Sequence, residues 1–96
     1  MRIKLPPGLA SAWHLHENWD TVAYVLAGAI RLEFGPGGAD IVDAVAGDYV
    51  FVPKGLIHRE SNPSAEEQIL IVFRVGAGPV VTNVEGPLGA EEAAHA

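Results

Sequence analysis

The sequence predicts an all-β fold, a sandwich or a small barrel. Short β-branched and apolar runs recur at regular spacing, and Gly and Pro clusters punctuate them. No segment of helical period competes, since the Ala- and Glu-rich stretch 89–96 is too short to be stable as an isolated helix. Ninety-six residues make one small domain, which buries about 60–65% of its unfolded surface. Such a core needs good packing, a metal or a partner subunit to be stable. Cysteine is absent, so neither a disulfide nor a zinc-thiolate cluster supplies that help.

The elements follow in order. Residues 2–5 alternate charged and apolar as a half-buried strand does, and Pro6-Pro7-Gly8 ends it. Residues 11–17 form the next strand, with His14 and His16 on one face and Trp13 and Leu15 on the other, because side chains two apart share a face. Asn18-Trp19-Asp20 is a loop. The β-branched run 21–27 is a strand, reversed at Gly28 into 29–34, where Ile30, Leu32 and Phe34 alternate with Arg31 and Glu33. Gly35-Pro36-Gly37-Gly38 is a turn, and 40–45 is a short strand closed by Gly47-Asp48. The continuous run Tyr49-Val50-Phe51-Val52 is expected to be covered on both faces. Pro53-Lys54-Gly55 turns the chain into 57–61, which carries His58, and Asn62-Pro63-Ser64 breaks that strand. Residues 67–75, centred on Ile69 to Phe73, are the last long strand, and 80–84 an edge strand. The domain is expected to span 1–87, with 88–96 a flexible tail carrying a solvated His95.

Composition narrows the partners. A formal net charge of −6 argues against nucleic acid or an anionic membrane. No run reaches the ~18 apolar residues of a membrane span, and no charged stretch precedes an apolar one as in a secretory leader. The expected compartment is the cytoplasm.

Chemistry concentrates in His14 and His16. Two imidazoles on one face of a strand are half of a metal site, because neutral imidazole ligates zinc, copper, iron and nickel. His58, just after a tight turn, is the best third ligand.

The spacing around these histidines resembles the cupin superfamily, and in particular its small single-domain members of the conserved-barrel type. The first cupin motif reads Gly-x5-His-x-His-x3,4-Glu-x6-Gly. Gly8, His14, His16 and Gly28 fill its positions, and Thr21 stands where the Glu belongs. The second motif, Gly-x5-Pro-x-Gly-x2-His-x3-Asn, is met in full by Gly47, Pro53, Gly55, His58 and Asn62. The resemblance implies a double-stranded β-helix, a small jelly-roll barrel, with the three histidines in its mouth. It implies one divalent metal ion per chain (Fe, Mn, Ni, Cu or Zn) on His14, His16 and His58, and a homodimer.

The missing Glu opens the fourth position. Threonine is a poor ligand at neutral pH, and Asp20 reaches the site only through a bulge, since neighbouring strand residues point oppositely. Glu60 shares parity with His58 and is, with Asp20, a candidate base. Trp19 and Tyr24 are candidate pocket residues. The expected function is metal-dependent chemistry on a small organic molecule, dioxygenase-like or isomerase/lyase-like. The alternative is a non-catalytic cupin that binds or senses a small ligand. For the dimer, residues 2–5 and 80–84 are the candidate edges.

Overall fold

Alternation along the strands builds two antiparallel sheets facing each other in a computed structural model that describes residues 1–87. The first sheet runs β1 (Arg2–Leu5), β8 (Gln68–Gly76), β3 (Trp19–Ala27), β6 (Tyr49–Val52). The second runs β5 (Asp40–Val45), β4 (Ala29–Phe34), β7 (His58–Ser61), β2 (His14–Leu15), β9 (Thr82–Asn83). The helical content of the described residues is one 3-10 turn at Pro36–Gly38. This is the double-sheet jelly-roll arrangement that the resemblance implies, and no helix among the described residues is long and apolar enough to cross a membrane. The stretch 88–96, expected to be a tail, lies with His95 outside the described residues.

The core forms where the inward parities meet. Ala23, Val25, Val50, Val52, Leu70 and Val72 of the first sheet pack against Ile30, Leu32 and Ala44 of the second. Gly28 makes the reversal from β3 to β4 possible. Its φ is 74°, and a Cβ there would stand 2.7 Å from the Glu67 carbonyl oxygen, so only glycine fits.

The two motifs are sewn together by backbone hydrogen bonds. Gly55 N–H donates to the His16 carbonyl at 2.9 Å, and Gly8 N–H donates to the Asn62 carbonyl at 3.1 Å. Asn62, only 1% exposed, spends its whole side chain on the loop that follows it and on the end of β1. Its Nδ2 donates to the carbonyls of Leu5 and Glu66, and its Oδ1 accepts from Ser64 N–H and Ser64 Oγ–H. The motif asparagine is a structural clamp.

Several boundaries differ from expectation. β2 is confined to His14–Leu15, because its ladder is limited to a short pairing with β7 and β9. β3 begins at Trp19, where a loop was expected, since Trp19 and Asp20 pair with Gly76 and Val75. β6 is covered on one face only: Val50 and Val52 are buried, while Tyr49 and Phe51 are exposed. An unbroken apolar run looks the same whether its outer face meets protein or solvent. The edge strand expected at 80–84 is β9, shortened to Thr82–Asn83.

Candidate metal centre

The first motif delivers two histidines from β2 and its end, and the second delivers His58 at the start of β7. Register places them together, since His14 is the cross-strand partner of His58. One ligand atom from each of the three rings lies within 4.8 Å of the others. The ring centroids are 4.3 Å apart for His14 and His58, and 5.1 and 5.2 Å from His16 to each. All three are buried, His58 completely.

Each ring is held by its Nδ1. His14 Nδ1 is 2.7 Å from the Ala12 carbonyl, His58 Nδ1 is 2.9 Å from the Leu56 carbonyl, and His16 Nδ1 meets the Val80 carbonyl. A carbonyl can only accept, so each Nδ1 carries a proton, and in the uncharged ring Nε2 is the atom left with a lone pair. That is the arrangement by which ligating histidines are oriented from behind. Burial, the largest influence on both, lowers the pKa of His16 and of His58 and favours the uncharged, ligating form.

The site opens on a cavity of about 220 Å³ between the sheets. His16, His58, Thr21, Glu60 and Arg74 give it its chemistry, and most of the remaining wall is aliphatic. Among the described residues, three buried side-chain atoms have no hydrogen-bond partner: Thr21 Oγ1, His58 Nε2 and Arg74 Nε. All three belong to residues that line this one cavity. A buried polar group without a partner costs about 1–3 kcal/mol, so the concentration of all three here marks a place for something bound. The fit to a metal is specific. His58 Nε2 is a buried lone pair with nothing to accept from, beside two more imidazoles whose Nδ1 atoms are already spoken for.

The other sequence candidates separate clearly. Thr21 faces inward and is 5% exposed. Glu60 lines the cavity, its Oε1 3.8 Å from His14 Nε2. Asp20 turns the other way, and its Oδ1 accepts from Lys54 N–H at 3.0 Å, fixing the Pro53–Gly55 turn. Trp19 and Tyr24 do not line the cavity. Trp19 Nε1 donates to the Gly78 carbonyl at 3.1 Å, and Tyr24 packs on Tyr49 with ring centroids 4.9 Å apart. With Thr21, Ala23 and Val25 facing inward, alternation sends Tyr24 outward. Trp13, opposite the histidines, stacks under the Arg59 guanidinium at 4.9 Å, and Arg59 pairs with Glu33 at 2.9 Å.

Arg74 was not singled out by the sequence. It shares its face of β8 with the buried Gln68, Leu70 and Val72.

The Cupin domain family model matches residues 1–74. The chain is a cupin. Its solved relatives agree with the fold. It is similar to the protein TT1209 of Thermus thermophilus, 31% identical over 78% of this chain and 69% of that one, with a TM-score of 0.67. It is similar to a predicted oxalate decarboxylase from Thermotoga maritima, 26% identical over 79% of this chain and 64% of that one, TM-score 0.68. An uncharacterized conserved protein with a double-stranded β-helix domain from Klebsiella pneumoniae shares the fold at 24% identity and a TM-score of 0.71, over 88% of this cupin and 71% of its own length. No curated protein matches the chain.

Proposed function

We propose that this cupin is a metal-dependent enzyme acting on a small organic molecule, with His14, His16 and His58 holding one divalent ion of the Fe, Mn, Ni, Cu or Zn class. The observation that carries this reading is the buried, unpartnered His58 Nε2 among three imidazoles held by carbonyls at Nδ1. A bound ion would supply Lewis-acid charge to an oxygen of the substrate and, if redox-active, a route to oxygen chemistry.

The chain's own residues supply the rest. The largely aliphatic wall lowers the local dielectric, which strengthens every charge inside. Glu60 stands beside the histidines with its carboxylate in the cavity, placed to take a proton from a bound substrate or return one to it. That role supports isomerase- or lyase-type chemistry, while a site of neutral histidines also suits dioxygenase-like chemistry. Asp20 takes no part, because its carboxylate is committed to the Lys54 amide.

The working unit is a homodimer in the cytoplasm. The exposed side chains Tyr49, Phe51, Phe73 and Val75 lie in adjacent register on the outer face of the first sheet, around Val22. An apolar face of this kind is commonly covered by a partner, and it joins the edges formed by residues 2–5 and 80–84 as a candidate interface.

Metal analysis of protein purified without a His tag tests the centre. The expected result is one ion per chain, most of it lost in His14→Ala, His16→Ala and His58→Ala while the β-rich circular dichroism spectrum persists. Unchanged stoichiometry in all three variants would end the reading. Redox-active iron or copper would point to oxygen chemistry and zinc to isomerase or lyase chemistry. A chain that retains no metal would be a ligand-binding cupin without turnover.

A further inference from the structure

Arg74 stands apart from the strand arginines Arg31 and Arg59 among the described residues. Arg31 pairs with Asp43 and Arg59 with Glu33, each across a strand pair. Arg74 makes no ion pair among the described residues, although its Nε is buried and it lines the cavity. Among the described residues, no carboxylate forms an ion pair with this guanidinium. Arg74 is half-buried, and its Nε–H, withdrawn from water with no acceptor, is costly unless something compensates it.

Its neighbour shows where compensation would come. Thr21 and Arg74 are direct cross-strand partners in the β3–β8 ladder, so their side chains project together from the same face. Thr21 Oγ1 is likewise buried and unpartnered. A guanidinium and a hydroxyl side by side offer donors in the flat, forked pattern that a carboxylate accepts. Beyond them along the same face, Ala23 and Val72 form the next cross-strand pair and line the cavity with Val50. The wall therefore passes from cationic to aliphatic over one step of the ladder.

We propose that Arg74 and Thr21 form the carboxylate-binding subsite of this cavity, and that the substrate is a small monocarboxylic acid whose aliphatic remainder lies against Ala23, Val50 and Val72. This names a substrate class for the function proposed above and rests on that reading for its catalytic meaning. The subsite itself needs no metal. It assigns Thr21, the residue standing at the motif's Glu position, to the ligand: a Glu there would place an anion beside Arg74 and fill the subsite from within.

Butanoate and its neutral isostere butanamide are the probes, and the Arg74 Nε–H resonance in a ¹H–¹⁵N spectrum, assigned by its loss in Arg74→Lys, is the readout. In zinc-free protein, butanoate should shift this resonance to saturation and butanamide should leave it in place. By calorimetry, Arg74→Gln should weaken butanoate by about ten-fold or more, and Thr21→Val should weaken it several-fold. Thr21→Val keeps the shape and β propensity of the site, so it serves if Arg74→Gln fails to fold. Equal responses to butanoate and butanamide, unchanged affinity in Thr21→Val, or tighter binding of inorganic phosphate than of butanoate would overturn the proposal. Zinc uptake by the same samples separates the two readings. Protein that takes up zinc but ignores butanoate has the metal centre without the subsite. Protein that binds butanoate and takes up no zinc has the subsite without the centre.

Discussion

Replacing Thr21 by Val should make the ligand-free cupin more stable. The hydroxyl is buried, 5% of the residue is exposed, and Oγ1 has no partner. Desolvating an unpaired hydroxyl costs about 1–3 kcal/mol. Valine has the same branched shape, an equal preference for strands, and a methyl suited to a wall that already holds Ala23, Val50 and Val52. The hydroxyl penalty disappears and nothing is lost from the ladder, so the gain should be about 1–2 kcal/mol. In a domain of this size each kcal/mol moves Tm by about 4–8 °C. Urea and thermal unfolding in EDTA, in a buffer free of carboxylates, measure it. A Val variant less stable than the parent by 1 kcal/mol or more on the same scale would show that the hydroxyl has a partner in the empty cavity, and the reasoning from orphaned groups would fall. A gain in stability with a loss of butanoate affinity is the signature of a residue kept for its ligand.

Other perturbations address separate parts of the structure. Asn62→Ala removes four hydrogen bonds, and at about 1 kcal/mol each it should destabilise the fold by about 3–4 kcal/mol in urea titrations. Refolded at low temperature, that variant should still take up metal, because the Asn62 side chain hydrogen-bonds Leu5, Ser64 and Glu66 and none of the histidines. Metal-free protein should lose stability as pH falls below about 6.5, since His16 and His58 have lowered pKa values in the fold and the unfolded chain binds their protons first. Stability should level off once pH has passed through the folded values, and denaturant midpoints between pH 8 and pH 5 that rise on acidification would contradict this. If the proposed dimer forms through the outer face of the first sheet, Phe51→Glu with Phe73→Glu should leave a 10.1 kDa monomer by light scattering without altering metal content. A variant that stays dimeric would move the interface elsewhere.

How much of this was legible in the sequence depended on whether a residue's role was local. His14, His16 and His58 could be assembled from strand parity and the match to the two cupin motifs, because the Pro53–Gly55 turn fixes where β7 starts and Gly55 ties the second motif to His16. Thr21 was readable for the same reason, being counted from His16. Arg74 was hidden by its surroundings. In the run from Ile69 to Phe73 both faces are apolar, since the outer face of the first sheet carries Phe73 and Val75, and parity leaves no trace when both faces look alike. The same apolar exterior made β6 read as doubly covered. Asp20, Trp19 and Tyr24 were placed near the site by adjacency in sequence, but their partners are Lys54, Gly78 and Tyr49, which lie far along the chain.

The carbonyl that holds His16 belongs to Val80, six residues past the stretch the family model matches and outside both motifs. Docking of that segment and occupancy of the centre are therefore thermodynamically linked. If the docked Val80 raises metal affinity ten-fold by holding the His16 ring in its ligating pose, then the metal must stabilise the docked segment by the same factor, about 1.4 kcal/mol. The coupling is readable without any substrate: amide exchange at Val84, whose N–H donates to the Trp13 carbonyl, should slow on metal loading, and a chain cut after Gly76 should lose affinity with all three histidines intact. The segment that closes the second sheet would then act as the centre's own effector, covalently attached and always at hand.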